Sequence, residues 1–194
     1  MSEYLTYVEQ LKEALGGLVV TSRDGSLLTQ NEGLRRWLEM THALRLDKKT
    51  MYFIGNGASA MMAGHMAADA SKNGGFRSLA FNDAALMTAV SNDICYAQCF
   101  SFPLMRFADP GDILTAISSS GNSPNVVAAI EQARAMNLGV ITLTGLKPDN
   151  KARTMGDLNF YIPASTYGLV EASHQALLHG WLDLYMEAHP ETQS

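Results

Sequence analysis

The sequence predicts an α/β protein: a three-layer αβα sandwich with a parallel sheet between helices, preceded by an N-terminal helical arm. Two observations predict it. From residue 51 onward, short apolar runs bounded by Gly, Asn, Asp or Pro alternate with helical stretches, the pattern of βαβ units. Two of those runs lead straight into Gly-rich or Ser-rich loops that open a helix, and open α/β sheets bind ligands outside the carboxyl ends of their strands. The competing reading of the same runs is an α+β domain with a mixed sheet.

Taken in order, residues 2–15 place Leu5, Val8, Leu11 and Leu15 at helical spacing. A Gly pair and the run SRDGS interrupt that pattern over 16–30. Helical spacing resumes at Leu34, Trp37, Leu38 and Leu44, with Thr41 on the same face. Four apolar runs follow at 51–54, 112–117, 139–144 and 158–162, with a weaker fifth at 77–81. Each is short enough for a strand buried on both faces. Helices are expected at 58–72, 94–107, 124–137 and 168–188. No repeat or low-complexity tract divides the chain. It is therefore read as one domain over 1–194, with the arm at 1–48 and the α/β core at 49–190.

Composition narrows the function. Of 194 residues, 47% are hydrophobic and 17% charged, which excludes a mostly disordered chain. Fourteen Lys and Arg against 19 Asp and Glu give a net charge of −5, the wrong balance for a nucleic-acid or anionic-membrane surface. The opening Met1-Ser-Glu-Tyr-Leu lacks the order of a secretory signal. No apolar run approaches the ~18 residues of a membrane span. A cytoplasmic protein is expected, with Cys95 and Cys99 as free thiols on one helix face.

The first strand runs into Gly55-Asn56-Gly57-Ala58-Ser59 and then a helix. Glycines permit close backbone approach, and the helix offers free N–H groups to an anion. No Gly-Lys-Ser/Thr follows, so this is not a Walker A loop. The dinucleotide fingerprint is met only loosely, with Ala60 at its last position, which leaves a nucleotide switch a weak third reading. The second loop is Ser118-Ser119-Ser120-Gly121-Asn122-Ser123-Pro124. Ser123 suits a helix N-cap and Pro124 the first helical turn, but four serines in six residues exceed what one cap requires. A phosphate cradle accounts for them. No Lys or Arg lies between Arg106 and Arg134, so an anion there is held by hydroxyls and backbone N–H groups unless the fold brings a basic side chain from elsewhere.

GNGxS after the first strand, a helical His-x-x-x-acid, Met87-Thr-Ala-Val-Ser-Asn-Asp93 and SSSGNS together resemble sugar isomerase (SIS) domains, nearest the phosphoheptose isomerase branch, over residues 30–188. The resemblance implies a flavodoxin-like five-stranded parallel sheet and a homotetramer with sites between subunits. It also implies aldose–ketose isomerisation of a seven-carbon sugar phosphate, with zinc in several members. Carried onto this sequence, Ser118, Ser119, Ser120 and Ser123 hold the phosphate. Asn56, Gly57, Ser59 and Asp83 lie along the sugar chain. His65, Asp69, Glu171 and His179 take the metal and acid–base positions, with Asp69, Glu171 and His179 as the catalytic set.

Spacing alone bears on that last group. His65 and Asp69, four apart on a helix, share one face roughly 6 Å apart along the axis, suited to a shared zinc or to an ordinary polar pair. Glu171 and His179 lie about 12 Å apart along an ideal helix and ~80° apart around it, so a four-ligand site requires their side chains to lean together. His174 reads either as a residue that contacts substrate or supports the site or, slightly better, as a surface histidine, Met61 and Met62 as packing residues, and Tyr167 as either site-lining or surface. Three positions depart from the familiar heptose pattern: Asp69 where Glu is usual, Glu171 where Gln is usual, and Gly168-Leu169 in place of Asp-Arg. The first two could exchange which carboxylate is the base. A different class, a SIS module that binds sugar phosphate without catalysis, is the alternative.

Overall fold

The computed structural model describes residues 2–192; Met1, Gln193 and Ser194 of the domain span lie outside the described residues. Strands β3 (Thr50–Gly55), β4 (Arg77–Ala80), β5 (Ile113–Ser118), β6 (Gly139–Gly145) and β7 (Leu158–Ile162) pair in parallel in the order β4-β3-β5-β6-β7. The order reverses between β3 and β5, and a crevice opens at such a switch point. These are the two strands that carry the Gly-rich and Ser-rich loops.

Each central strand is apolar on both sides and serves two cores. Met51 and Phe53 face one side with α2 (Gln30–Leu46), α3 (Ala58–Lys72) and α7 (Tyr167–Ala188), where Trp37 stacks on Trp181 at 4.6 Å. Tyr52 and Ile54 face the other side with α5 (Ser101–Phe107) and α6 (Pro124–Ala135). Thr41 sits in the first core because its hydroxyl is fully used: it donates to the Trp37 carbonyl at 2.8 Å and accepts from Trp181 Nε1 at 3.3 Å.

The expected five-stranded sheet has seven strands among the described residues. The interruption in the arm, after α1 (Glu3–Gly16), is a hairpin of β1 (Val19–Ser22) and β2 (Leu27–Leu28). β1 joins the sheet antiparallel to β7. SRDGS is its turn. Asp24 accepts from the Ser22 hydroxyl at 2.6 Å and from the Ser26 N–H at 3.0 Å, bonds that hold its carboxyl down at about 2.

The helix expected at 94–107 is also corrected. α4 spans Ala84–Asp93, a 3-10 turn spans Tyr96–Gln98, and α5 begins only at Ser101. Within α4 only Val90 is buried, so it carries almost no apolar stripe to announce itself. Cys95 and Cys99 are free as expected but flank the 3-10 turn rather than sharing a helix face. Cys95 is exposed and Cys99 is buried, and burial raises the Cys99 thiol pKa. No described helix is long and apolar enough to cross a membrane.

Candidate active site

β3 ends in the loop that starts α3. Gly57 makes the turn at φ 57°, ψ −123°, a conformation other residues rarely adopt. Behind it Ser59 is buried, while the Asn56 side chain spans to the neighbouring loop. Asn56 Nδ2 donates to Asn125 Oδ1 at 2.9 Å, and Asn125 Nδ2 donates back to Asn56 Oδ1 at 2.8 Å. Tyr96 adds a hydroxyl bond to Asn56 Oδ1 at 2.9 Å. One N–H of the Asn56 amide is left for a ligand.

The serine loop, after β5, uses two hydroxyls internally. Ser118 Oγ accepts from the Gly121 N–H at 3.2 Å and Ser120 Oγ from the Asn122 N–H at 3.3 Å. The other two are not used in this way among the described residues: Ser119 Oγ is buried without a hydrogen bond, and Ser123, at the N-cap of α6, makes no side-chain capping bond. Hydroxyls in that state are what a bound oxyanion can satisfy. The loop packs so closely on the 150s that a Cβ on Gly121 would collide with the Asn150 side chain.

Asn56, Ser59, Ser118, Ser119, Ser120 and Ser123 line one cavity of about 210 Å³, joined by Tyr167 and Glu171 from α7. A neighbouring cavity of about 440 Å³ is lined by His65, Glu171 and His179 with Met61, Met62 and Gln175. Glu171 is the side chain common to both. His65 Nε2 lies 3.2 Å from Asp69 Oδ2, and His65, Asp69 and His179 offer ligand atoms within 4.8 Å of one another. Two imidazoles and a carboxylate are a donor set that suits zinc. Glu171 stands outside that trio, so the expected four-ligand set is brought together as three.

Two other expected residues stand apart. Asp83 is exposed and caps α4, accepting the Leu86 N–H at 2.8 Å, and Gly57 shapes its turn; neither lines either cavity. Met61 is 77% exposed rather than packed, unlike the buried Met62.

His174, read as a surface histidine, is fully buried. Its Nε2 lies 3.1 Å from the Thr144 carbonyl, and its Nδ1 has no hydrogen-bond partner among the described residues. Burial pushes the imidazole down to about 4, and the Thr144 bond only partly opposes this. Thr144 pairs with Ser118 across β5 and β6, so His174 joins α7 to the strand end beneath the serine loop. No sequence pattern marks Asn125, though it directly follows Ser123-Pro124; its pairing with Asn56 exists only in three dimensions.

Comparison with known proteins bears on this arrangement. Residues 22–145 match the SIS domain model. The phosphoheptose isomerase of Thiobacillus denitrificans is 35% identical over 148 residues, covering 72% of this chain and 75% of that protein. That of Shewanella denitrificans is 29% identical over 180 residues, covering 89% and 91%. The solved phosphoheptose isomerase of Neisseria gonorrhoeae superposes with a TM-score of 0.81 at 25% identity, covering 95% of each chain.

Proposed function

The chain belongs to the SIS-domain family and is, with its phosphoheptose isomerase relatives, a sugar-phosphate isomerase; we propose that it interconverts sedoheptulose 7-phosphate and an aldoheptose 7-phosphate through an enediol. The observation that carries this reading is the position of Glu171, which lines both the serine cavity and the histidine cavity. A sugar phosphate held by its phosphate at Ser119 and Ser123 extends past Asn56 and Ser59, and its reacting carbons reach the carboxylate.

Glu171 takes the proton beside the carbonyl, exchanges it with solvent at the enediol stage, and delivers a proton to the neighbouring carbon. His179, which lines the histidine cavity, donates to the carbonyl oxygen and then takes the proton of the neighbouring hydroxyl as that carbon becomes the new carbonyl. Asp69 is committed elsewhere: it bonds His65 and accepts weakly from Asn73 Nδ2 at 3.4 Å, which favours Glu171 as the base. The phosphate grip fixes the chain relative to both groups. His65, Asp69 and His179 would hold zinc, which when bound polarises a carbonyl oxygen.

The exposed apolar side chains of α1, Tyr4, Leu5 and Val8, support assembly into the homotetramer that the family resemblance implies. We also read the protein as a single cytoplasmic domain. A panel of ketose and aldose phosphates assayed for interconversion tests the reaction. Turnover of the seven-carbon pair is the expected result. Binding without turnover of any sugar phosphate would favour the non-catalytic module.

A further inference from the structure

The serine cavity does not end at Ser120. Ser120 and Tyr167 also line a third space of about 510 Å³, walled further by Asn122, Leu146, Lys147 and Ser165. Three spaces therefore run in series. Glu171 belongs to the histidine cavity and the serine cavity, and Ser120 and Tyr167 to the serine cavity and this one. The serine cavity has no basic lining residue. Lys147 is the single charged residue lining the third space, and its ammonium forms no ion pair among the described residues.

The Lys147 backbone is held in place. Leu146 turns the chain at the end of β6 at φ 55°, and its carbonyl accepts the Tyr161 hydroxyl at 2.8 Å. The Lys147 carbonyl accepts from Asn150 Nδ2 at 2.8 Å. Asn122 Oδ1 accepts the Lys151 N–H at 3.1 Å, and the Ala152 N–H donates to the Gly121 carbonyl at 2.9 Å. These bonds strap the lysine loop to the serine loop. A strained non-glycine residue kept at the mouth of a cavity is a feature of ligand sites.

We infer that Lys147, with Asn122 and Ser165, forms a second anion subsite, so that the site accepts phosphoesters whose phosphoryl group carries a further anionic group, the diphosphate class. This rests on the serine loop being a phosphate cradle. The first phosphoryl group occupies the serine cavity. The second lies beyond Ser120, where an ammonium with three N–H donors meets it. A simple phosphomonoester leaves the third space to solvent.

Titration calorimetry in metal-free buffer, with orthophosphate and pyrophosphate as probes, tests this. Pyrophosphate binds the wild type about tenfold more tightly than orthophosphate, the worth of a charge-assisted bond. Lys147→Gln removes that advantage, and Lys151→Gln, at a second exposed lysine that does not line the cavity, keeps it. Pyrophosphate binding no tighter than orthophosphate, or an advantage that survives Lys147→Gln, overturns the second subsite. A Ser119→Ala variant that binds orthophosphate as tightly as the wild type overturns the phosphate cradle instead.

Discussion

The carboxamides of Asn56 and Asn125 bond to each other twice, at 2.9 and 2.8 Å, across 69 positions of sequence. The pair clamps the loop after β3 to the first turn of α6 and so fixes the width of the serine cavity. Asn125→Ala removes both bonds, leaves Asn56 Nδ2 without its acceptor, and leaves Asn56 Oδ1 with the Tyr96 hydroxyl alone. It is expected to cost about 1–3 kcal/mol in denaturant unfolding, and to raise KM for the sugar phosphate more than it lowers kcat. An unchanged KM would show that the clamp does not shape the site.

The trio of His65, Asp69 and His179 predicts a metal requirement. Zinc content by elemental analysis should fall to background in His65→Ala and in His179→Ala, with circular dichroism unchanged. Prolonged chelation of the wild type should abolish turnover, and added zinc should restore it. Full activity after chelation would contradict a metal role.

Glu171 and Asp69 give a reciprocal test, because each departs from the familiar heptose pattern in the opposite direction. Glu171→Gln is expected to lower kcat by about 10²–10⁴-fold, the worth of a positioned general base. Adding Asp69→Glu to that variant restores the familiar pair and should recover part of the loss. Full activity in the single variant would remove Glu171 as the base.

Buried His174 predicts a pH dependence of stability. Its pKa falls from an ordinary 6.5 to about 4 in the folded chain. Above 6.5 the ring is neutral in both states. Between 6.5 and 4 the unfolded chain takes up a proton that the folded chain refuses, so stability falls with pH across that window, by up to about 3 kcal/mol. Denaturant curves at several pH values should show a shallower dependence in His174→Leu than in the wild type. Equal slopes would contradict the assignment.

The parallel strands and the Gly-rich and Ser-rich loops were legible because they are local: an apolar run, a Gly or Ser cluster, and a helix start. The bounds of α3 and β7 match those read from spacing, as does the His65–Asp69 pair. What was not legible depends on distant partners. The hairpin became sheet because β1 found β7, and its two short strands carry little pattern of their own. His174 looks like any helical histidine until the fold buries it against the Thr144 carbonyl. Lys147 lies 24 positions beyond Ser123 in sequence, yet the return of β6 brings it to the wall of the space that Ser120 also lines.

The enediol reaction is tested most directly by proton NMR of the zinc-loaded protein with sedoheptulose 7-phosphate in deuterium oxide. Conversion to an aldoheptose 7-phosphate, with deuterium entering at C2 of the product and the conversion slowed in Glu171→Gln, is the predicted result. Sugar recovered unchanged and free of deuterium would contradict it.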